Sequence, residues 1–306
     1  MISLKQFLVK LWNNAVDLKN KAIARFWIIY DFFYRKFHKA PDVAGVEETI
    51  DKIVTDKCSV SRFGDGEIKL IAGKNLNFQK ASPDVSNKLK NVLSGDDDGI
   101  MICIADMFNK DGRYNEDSLK HWKKHLSRYR REWYKYLRKD KKYYNASMTR
   151  QYIDLKDKST ADEIFKSVKR IWDGREIVII EGEMSRLGVE NDLFDNAKEI
   201  HRIVCPSVQA FSKYDEILAE AKKVSSDKLI LLALGPCATV LAYDLNKLGY
   251  QAVDIGHIDI EYEWFLMGAE AKVPVKNKIV NEAVTKNISS DFDRDVYEEQ
   301  VIARIL

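Results

Sequence analysis

An α/β fold on a mainly parallel sheet is the architecture this sequence predicts. Two observations predict it. Short apolar runs alternate with stretches of helical length, and one segment reads as a complete βαβ unit. The runs are Ser59–Phe63, Ile100–Ala105, Ile177–Ile180, Ile200–Cys205, Leu229–Leu234 and Ala252–Ile255. Helices are expected over 84–93, 116–139, 159–172, 189–198, 211–224 and 237–248. The βαβ unit is Lys228–Leu234, a Gly235-Pro236 turn, a helix, and Gly249 before Tyr250–Ile255.

The chain has 306 residues, 45% hydrophobic and 32% charged, which suits a folded globular protein and excludes disorder as the main state. The net charge is only +3, but residues 1–40 carry eight Lys and Arg against two Asp. Such a basic end suits an anionic partner. Residues 3–37 read as one or two amphipathic helices, with Ile23, Phe26, Trp27, Tyr30, Phe33, Tyr34 and Phe37 at three- and four-residue spacings. Two readings stand: a helix docked on the body by its aromatics, or an interfacial helix resting on anionic lipid. Pro41 and Gly45 then punctuate the chain, and a helix over Val46–Ile53 leads inward.

The expected organisation is a basic amphipathic segment over 1–45, a main domain over 46–283 and an extension over 284–306, helical after Pro274. No signal-peptide pattern and no membrane-spanning run is present. The four cysteines form no CxxC pair and suit free thiols in a reducing cytosol. The expected location is cytoplasmic, with peripheral contact on the inner face of the cell membrane through 1–40 and 120–144.

The first candidate site follows Ser59–Phe63. Two glycines flank Asp65 in Arg62-Phe63-Gly64-Asp65-Gly66-Glu67, so the backbone can turn tightly there. An Asp-x-Glu pair on such a turn can aim two carboxylates at one cation, and Mn²⁺ or Mg²⁺ favours oxygen ligands together with substrate phosphates. Arg62 offers a planar donor fork to the same phosphates. The plain alternative is a solvated acidic turn. Gly235-Pro236-Cys237-Ala238-Thr239 closes the βαβ strand and opens a helix whose free N–H groups and Thr239 hydroxyl suit a phosphate, although it matches neither a GxGxxG fingerprint nor a P-loop.

After Ile177–Ile180, a polar loop carries Glu183, Ser185 and Arg186, with Glu190 and Asp192 beyond it. Arg186 reads as a diphosphate clamp and Glu183 as an acid–base group; Glu190 and Asp192 read equally as caps of the next helix. After Ala252–Ile255 come His257, Asp259, Glu261 and Glu263. If the segment is extended, the first three share a face; if it is helical, Asp259 and Glu263 stack. Asp259, ahead of His257 or Glu183, is the candidate base for an acceptor hydroxyl.

Between Lys120 and Lys142, eleven Lys and Arg face only Glu132 and Asp140, with tyrosines and tryptophans interleaved. This is a solvated face, a sugar- or lipid-binding helix, or a nucleic-acid contact. Aromatic-rich helices also suit a homodimer. His121 and His125 lack the glutamate of a zinc-protease motif and sit beside lysines, which opposes a metal.

In order and separation, these motifs resemble the GT-D fold family of bacterial glycosyltransferases, formerly a domain of unknown function. The resemblance rests on Arg62–Glu67, Ser185-Arg186-Leu187-Gly188-Val189, Leu234-Gly235-Pro236 with Ala238-Thr239, and Asp254–Asp259 followed by Glu261–Trp264, over roughly 48–283. It implies a Rossmann-like sheet, a UDP-sugar donor, glucose by precedent, and Mn²⁺ or Mg²⁺ held by Asp65 and Glu67. Donor contacts then fall on Arg62, Phe63, Gly64, Ser185, Arg186, Gly235, Pro236 and Thr239, and the proton chemistry on Asp259, His257 or Glu183. Members build surface glycans or extend glycans on adhesins, so the acceptor is a glycan, lipid-linked or glycoprotein hydroxyl. Cys237 departs from the small hydroxyl or apolar residue expected there. The same acids and diphosphate would also serve a metal-dependent phosphotransferase or a nucleotide-sugar pyrophosphorylase-like enzyme. A nucleic-acid-binding protein would leave the strand-end loops unexplained.

Overall fold

The computed structural model describes residues 4–108, 112–279 and 294–306. The start of the expected N-terminal segment and residues 284–293 of the expected extension lie outside the described residues. A long helix, α1 (Leu4–Phe37), precedes strand β1 (Asp42–Val43) and helix α2 (Val46–Asp56). The chain continues through β2 (Ser59–Phe63), α3 (Asp65–Ile71), α4 (Pro83–Ser94), β3 (Ile100–Ile104), α5 (Glu116–Tyr136) and β4 (Lys142–Asn145). Then come α6 (Ala161–Lys169), β5 (Glu176–Gly182), β6 (Glu199–Cys205), α7 (Tyr214–Ala221), β7 (Leu229–Ala233), α8 (Pro236–Lys247), β8 (Ala252–Asp254) and α9 (Ile258–Leu266). The described tail holds α10 (Arg294–Gln300) and β9 (Val301–Arg304).

The strands form one nine-stranded sheet in the order β1-β4-β3-β2-β8-β7-β5-β6-β9, and each ladder between them is parallel. Apolar residues on alternate sides of each strand meet helices on both faces, as an interior parallel strand requires. On one face Phe63, Ile102, Ile180 and Leu232 pack with residues of α3, α4, α7 and α8. On the other, Val60, Cys103, Ile179 and Leu231 pack with residues of α2, α6 and α9. Local signals set the helix starts. Ser82 Oγ accepts the Val85 amide at 3.2 Å to cap α4, and Asn115 Oδ1 accepts the Ser118 amide at 2.9 Å to cap α5. Pro236 sits in the first turn of α8, where its missing N–H costs nothing.

The α/β reading holds, and its departures have physical reasons. Residues 189–198 are successive turns rather than a helix, because Asn191 and Asp192 spend their side chains on Asp259, Glu263, Lys169 and Tyr262. Glu190 and Asp192 therefore cap nothing. The Gly-Asp-Gly-Glu segment is helical from Asp65, and 211–224 begins with a 3₁₀ turn over Ala210–Lys213. The tail is not helical throughout: β9 pairs with β6 at the sheet edge. Strand β4 lies in the basic aromatic run, where charge hides its short period.

Helix α1 docks on α5 through one flank. Arg130 donates to Asp31 at 2.6 and 3.2 Å, and Tyr34 lies 6.0 Å from the Tyr134 ring. The docked reading of the aromatic stripe thus describes Trp27, Tyr30 and Tyr34, which are half-buried.

Candidate functional site

Strand order reverses between β2 and β8. The chain moves outward from β2 through β3 to β4, whereas β7 and β8 step inward from β5. Ligands of open α/β sheets gather at such a switch, beyond the carboxyl ends of the strands. A cavity of about 1290 Å³ opens there. Its walls come from the loops after β2, β5, β7 and β8 and from the flank of α5 that carries Ser118, Trp122 and Tyr129.

Gly64 is the N-cap of α3, and Asp65 and Glu67 lie in its first turn. Glu67 Oε2 reaches back to accept the Gly64 amide at 2.7 Å. Asp65 Oδ2 accepts from Lys69 Nζ at 2.5 Å and faces His121 Nε2 at 3.2 Å. The two acids are pushed apart. Burial works to raise the Asp65 carboxyl, but His121 and Lys69 outweigh it and hold the group well below the usual range. Burial, opposed by the Gly64 and Glu67 amides and reinforced by the charges of Asp254 and Asp65, pushes Glu67 up to about 7. Glu67 is thus raised chiefly by burial, with two acidic neighbours that would also favour added positive charge.

Beneath them lies a buried pair. Arg62 Nη2 and Nε donate to Asp254 Oδ1 at 2.9 and 3.2 Å, and Nη1 donates to Thr149 Oγ1 at 2.6 Å and the Ala146 carbonyl at 3.2 Å. The Thr239 hydroxyl donates to the Arg62 carbonyl at 2.9 Å. Gly256, at φ +46°, lies so close that a Cβ there would sit 1.7 Å from Arg62 Nη2. The Arg62 fork is therefore committed within the protein, and Thr239 is fully buried away from the cavity. Thr239 supports the site from behind, whereas Arg62 also borders the cavity. The Phe63 side chain belongs to the core.

Arg62, Phe63, Gly64, Ser185, Gly235 and Pro236 line the cavity. Gly235, at φ +55°, lies under Phe78, whose ring would meet an added Cβ at 3.0 Å. Arg186 and Glu183 are absent from the lining. Arg186 Nη1 instead donates to the Asn277 carbonyl at 2.8 Å, and Glu183 is exposed.

The segment after β8 is helical, so Asp259 and Glu263 stack. Asp259 is buried and accepts from Lys278 Nζ through both oxygens, from the Gly188 amide at 2.8 Å and from Asn191 Nδ2 at 2.8 Å. Three donors crowd Oδ1 and Lys278 alone engages Oδ2, while the residue also borders the cavity. His257, the N-cap residue of α9, is half-buried and lines the cavity. Glu261 turns away, accepting the Tyr152 and Ile153 amides at 3.2 and 3.1 Å.

Sequence reasoning missed Lys278, which sits in an uninformative tail, and the approach of His121 and Lys69 to Asp65. The i, i+4 spacing of Asp65 and Lys69 was the one available signal. Among the described residues no group of three or more His, Cys, Asp and Glu could hold a metal ion. Asp65 and Glu67 nevertheless fit one in part. They supply two hard oxygen donors beside an open cavity, in the style of Mg²⁺ sites completed by phosphates and water.

A family model described as "Glycosyltransferase GT-D fold" matches residues 60–283. The glycosyltransferase GlyD of Streptococcus pneumoniae serotype 4 is 39% identical over 265 residues, 86% of this chain and 32% of GlyD. A probable glycosyl transferase, Gly, of Streptococcus gordonii is 39% identical over 267 residues, 86% of this chain and 39% of that protein. The chain therefore spans well under half the length of these curated relatives. A solved structure described as a domain of unknown function, 1792, with a distinct glycosyltransferase fold superimposes with TM-score 0.83 at 40% identity, covering 87% of this chain and 96% of that one. A new glycosyltransferase from Streptococcus sanguinis does so with TM-score 0.82 at 38% identity, covering 87% and 100%.

Proposed function

The chain belongs to the GT-D glycosyltransferase family, and from that premise we propose that it transfers a hexose, glucose in the first instance, from a UDP-sugar. The acceptor is a hydroxyl of a surface-glycan, lipid-linked or glycoprotein substrate. One observation carries this reading: loops distant in sequence converge on a single cavity at the sheet's switch point, with Asp65 and Glu67 on its wall.

Asp65 and Glu67 would hold Mn²⁺ or Mg²⁺, whose charge would stabilise the departing diphosphate. Gly64 and Gly235 let the backbone approach the donor closely. Ser185 adds a hydroxyl, and α8 turns its first amides toward the same edge. Arg62, held on Asp254, fixes the loops after β2 and β8 relative to each other. His257 is the group we assign to take the acceptor proton, with Asp259 anchoring the start of α9 beneath it. The four buried free cysteines suit a reducing compartment, and we place the reaction in the cytoplasm.

Release of UDP from UDP-glucose, measured with and without a glycan acceptor and added Mn²⁺, tests the proposal. Acceptor-dependent release supports transfer. Cleavage of the diphosphate without acceptor supports a phosphotransferase or pyrophosphorylase-like enzyme instead.

A further inference from the structure

Helix α1 carries two stripes, and α5 covers only one. Asp31 and Tyr34 meet α5, and Trp27 and Tyr30 on the same stripe are half-buried. The other stripe, at positions 18, 22, 26, 29, 33 and 37, repeats at helical spacing and faces solvent. Its Leu18, Phe26, Ile29, Phe33 and Phe37 are 73, 60, 59, 54 and 82% exposed. Scattered exposed apolar side chains are ordinary, but a contiguous stripe of this length marks a contact surface. No helix is long and apolar enough to cross a membrane among the described residues.

Charge selects the occupant. Lys19, Lys21, Arg25, Arg35, Lys36 and Lys39 surround the stripe and are exposed, whereas Asp17 is the one acid of α1 besides Asp31, which Arg130 holds. On α5, Lys120, Lys123, Lys124, Arg131 and Lys135 form an exposed ridge. Lys123 lies two turns before Arg130, on the flank that meets α1, so the two basic surfaces adjoin. A second copy of the chain would bring like charges together. An anionic bilayer matches both the apolar stripe and its cationic border.

We propose that the outer stripe of α1 and the Lys120–Lys135 ridge of α5 form a docking surface for an anionic lipid bilayer. The aromatics lie in the headgroup layer and the cations contact lipid phosphates. The same helix carries Asp117, Ser118, His121, Trp122, Arg128 and Tyr129 in the cavity wall, next to the ridge. The membrane plane therefore lies within about one helix diameter, ~10 Å, of the cavity. Resting on the transferase reading, this favours an acceptor that is itself carried on lipid.

Sedimentation of the full chain with phosphatidylcholine vesicles, with and without phosphatidylglycerol, tests the surface. Binding is expected only with phosphatidylglycerol, and it should fall as salt shortens the screening length from about 10 Å at 0.1 M to about 3 Å at 1 M. Combined Phe26→Ser, Ile29→Ser and Phe33→Ser should abolish it. Lys123→Gln, Lys124→Gln and Arg131→Gln should each weaken it by about fivefold. These side chains are exposed and lie outside the cavity, so stabilisation by UDP-glucose, read separately, should not change. That second reading keeps failure of the docking surface distinct from failure of the transferase assignment. Equal binding to neutral vesicles, no vesicle binding at all, or capture of RNA in place of vesicles would overturn the proposal. So would a serine variant that changes only the oligomeric state in light scattering.

Discussion

Lys278 directs its ammonium at both carboxylate oxygens of Asp259, at 2.9 and 2.8 Å, and the same nitrogen lies 2.9 Å from Glu263 Oε1. One buried cation thus bridges two stacked acids and ties the segment before residue 280 to α9. Asn191 and the Gly188 amide join the same carboxylate, so the loop after β5 is fixed by the same knot.

Lys278→Met should leave two buried carboxylates without their cation. Breaking a buried pair by removing one partner costs about 3–5 kcal/mol, and urea unfolding would read it. Adding Asp259→Asn and Glu263→Gln should recover much of the loss. A single-variant cost below about 1 kcal/mol would mean the knot is not structural.

Gly256→Ala should be worse than its size suggests. The position has φ +46°, and the new methyl would collide with Arg62 Nη2. Strain of about 1–2 kcal/mol from the left-handed backbone adds to displacement of Arg62 from Asp254. Both thermal stability and stabilisation by UDP-glucose should drop. If donor stabilisation survives unchanged, the Arg62–Asp254 pair does not organise the site.

The tail reaches the loop after β5 through a buried chain of contacts. Arg202 donates to Glu181 at 2.6 Å and to the Leu187 carbonyl at 2.9 Å, while Glu181 accepts the Leu187 amide at 2.7 Å and the Tyr297 hydroxyl at 3.2 Å. Tyr297→Phe should cost about 1 kcal/mol. Arg202→Met should cost about 3 kcal/mol or more by stranding Glu181. Chemical denaturation separates the two, and equal costs would contradict the network.

Acid should weaken the fold partly through His125. Its Nε2 accepts from Trp133 Nε1 at 3.0 Å, and burial pushes the ring down to about 3 from 6.5. The folded value lies below the unfolded one, so under pH 6.5 the unfolded chain binds a proton that the folded chain refuses. Stability from this residue is intact at neutral pH and declines as pH falls from 6.5 toward 3, by up to about 1.4 kcal/mol per unit. His125→Gln should flatten that slope in urea titrations between pH 7 and 4.5. An unchanged slope would show that the imidazole is hydrated.

Much of this was legible in the sequence. The six apolar runs all became strands of the sheet, because parallel strands buried on both faces must be continuously apolar. The flanking glycines singled out Asp65 and Glu67, which both lie on the cavity wall. What escaped depends on distant partners. Nothing local to Arg62 says that Asp254 and Thr149 will occupy its donors, and nothing near Lys278 says that it will be buried. The turns at 189–198 resemble a helix until Asn191 is seen bonding across to α9. Strands β4 and β9 are short, four residues each, and their exposed charges mask alternation.

The most direct measurement is thermal unfolding of the full chain with UDP-glucose, with Mn²⁺, with both, and with both for Asp65→Ala. The account predicts stabilisation that needs donor and metal together, of roughly 2.7 kcal/mol at a hundredfold excess over Kd, and its loss in Asp65→Ala. Equal stabilisation by UDP-glucose without any divalent ion, or full stabilisation of Asp65→Ala, would contradict it.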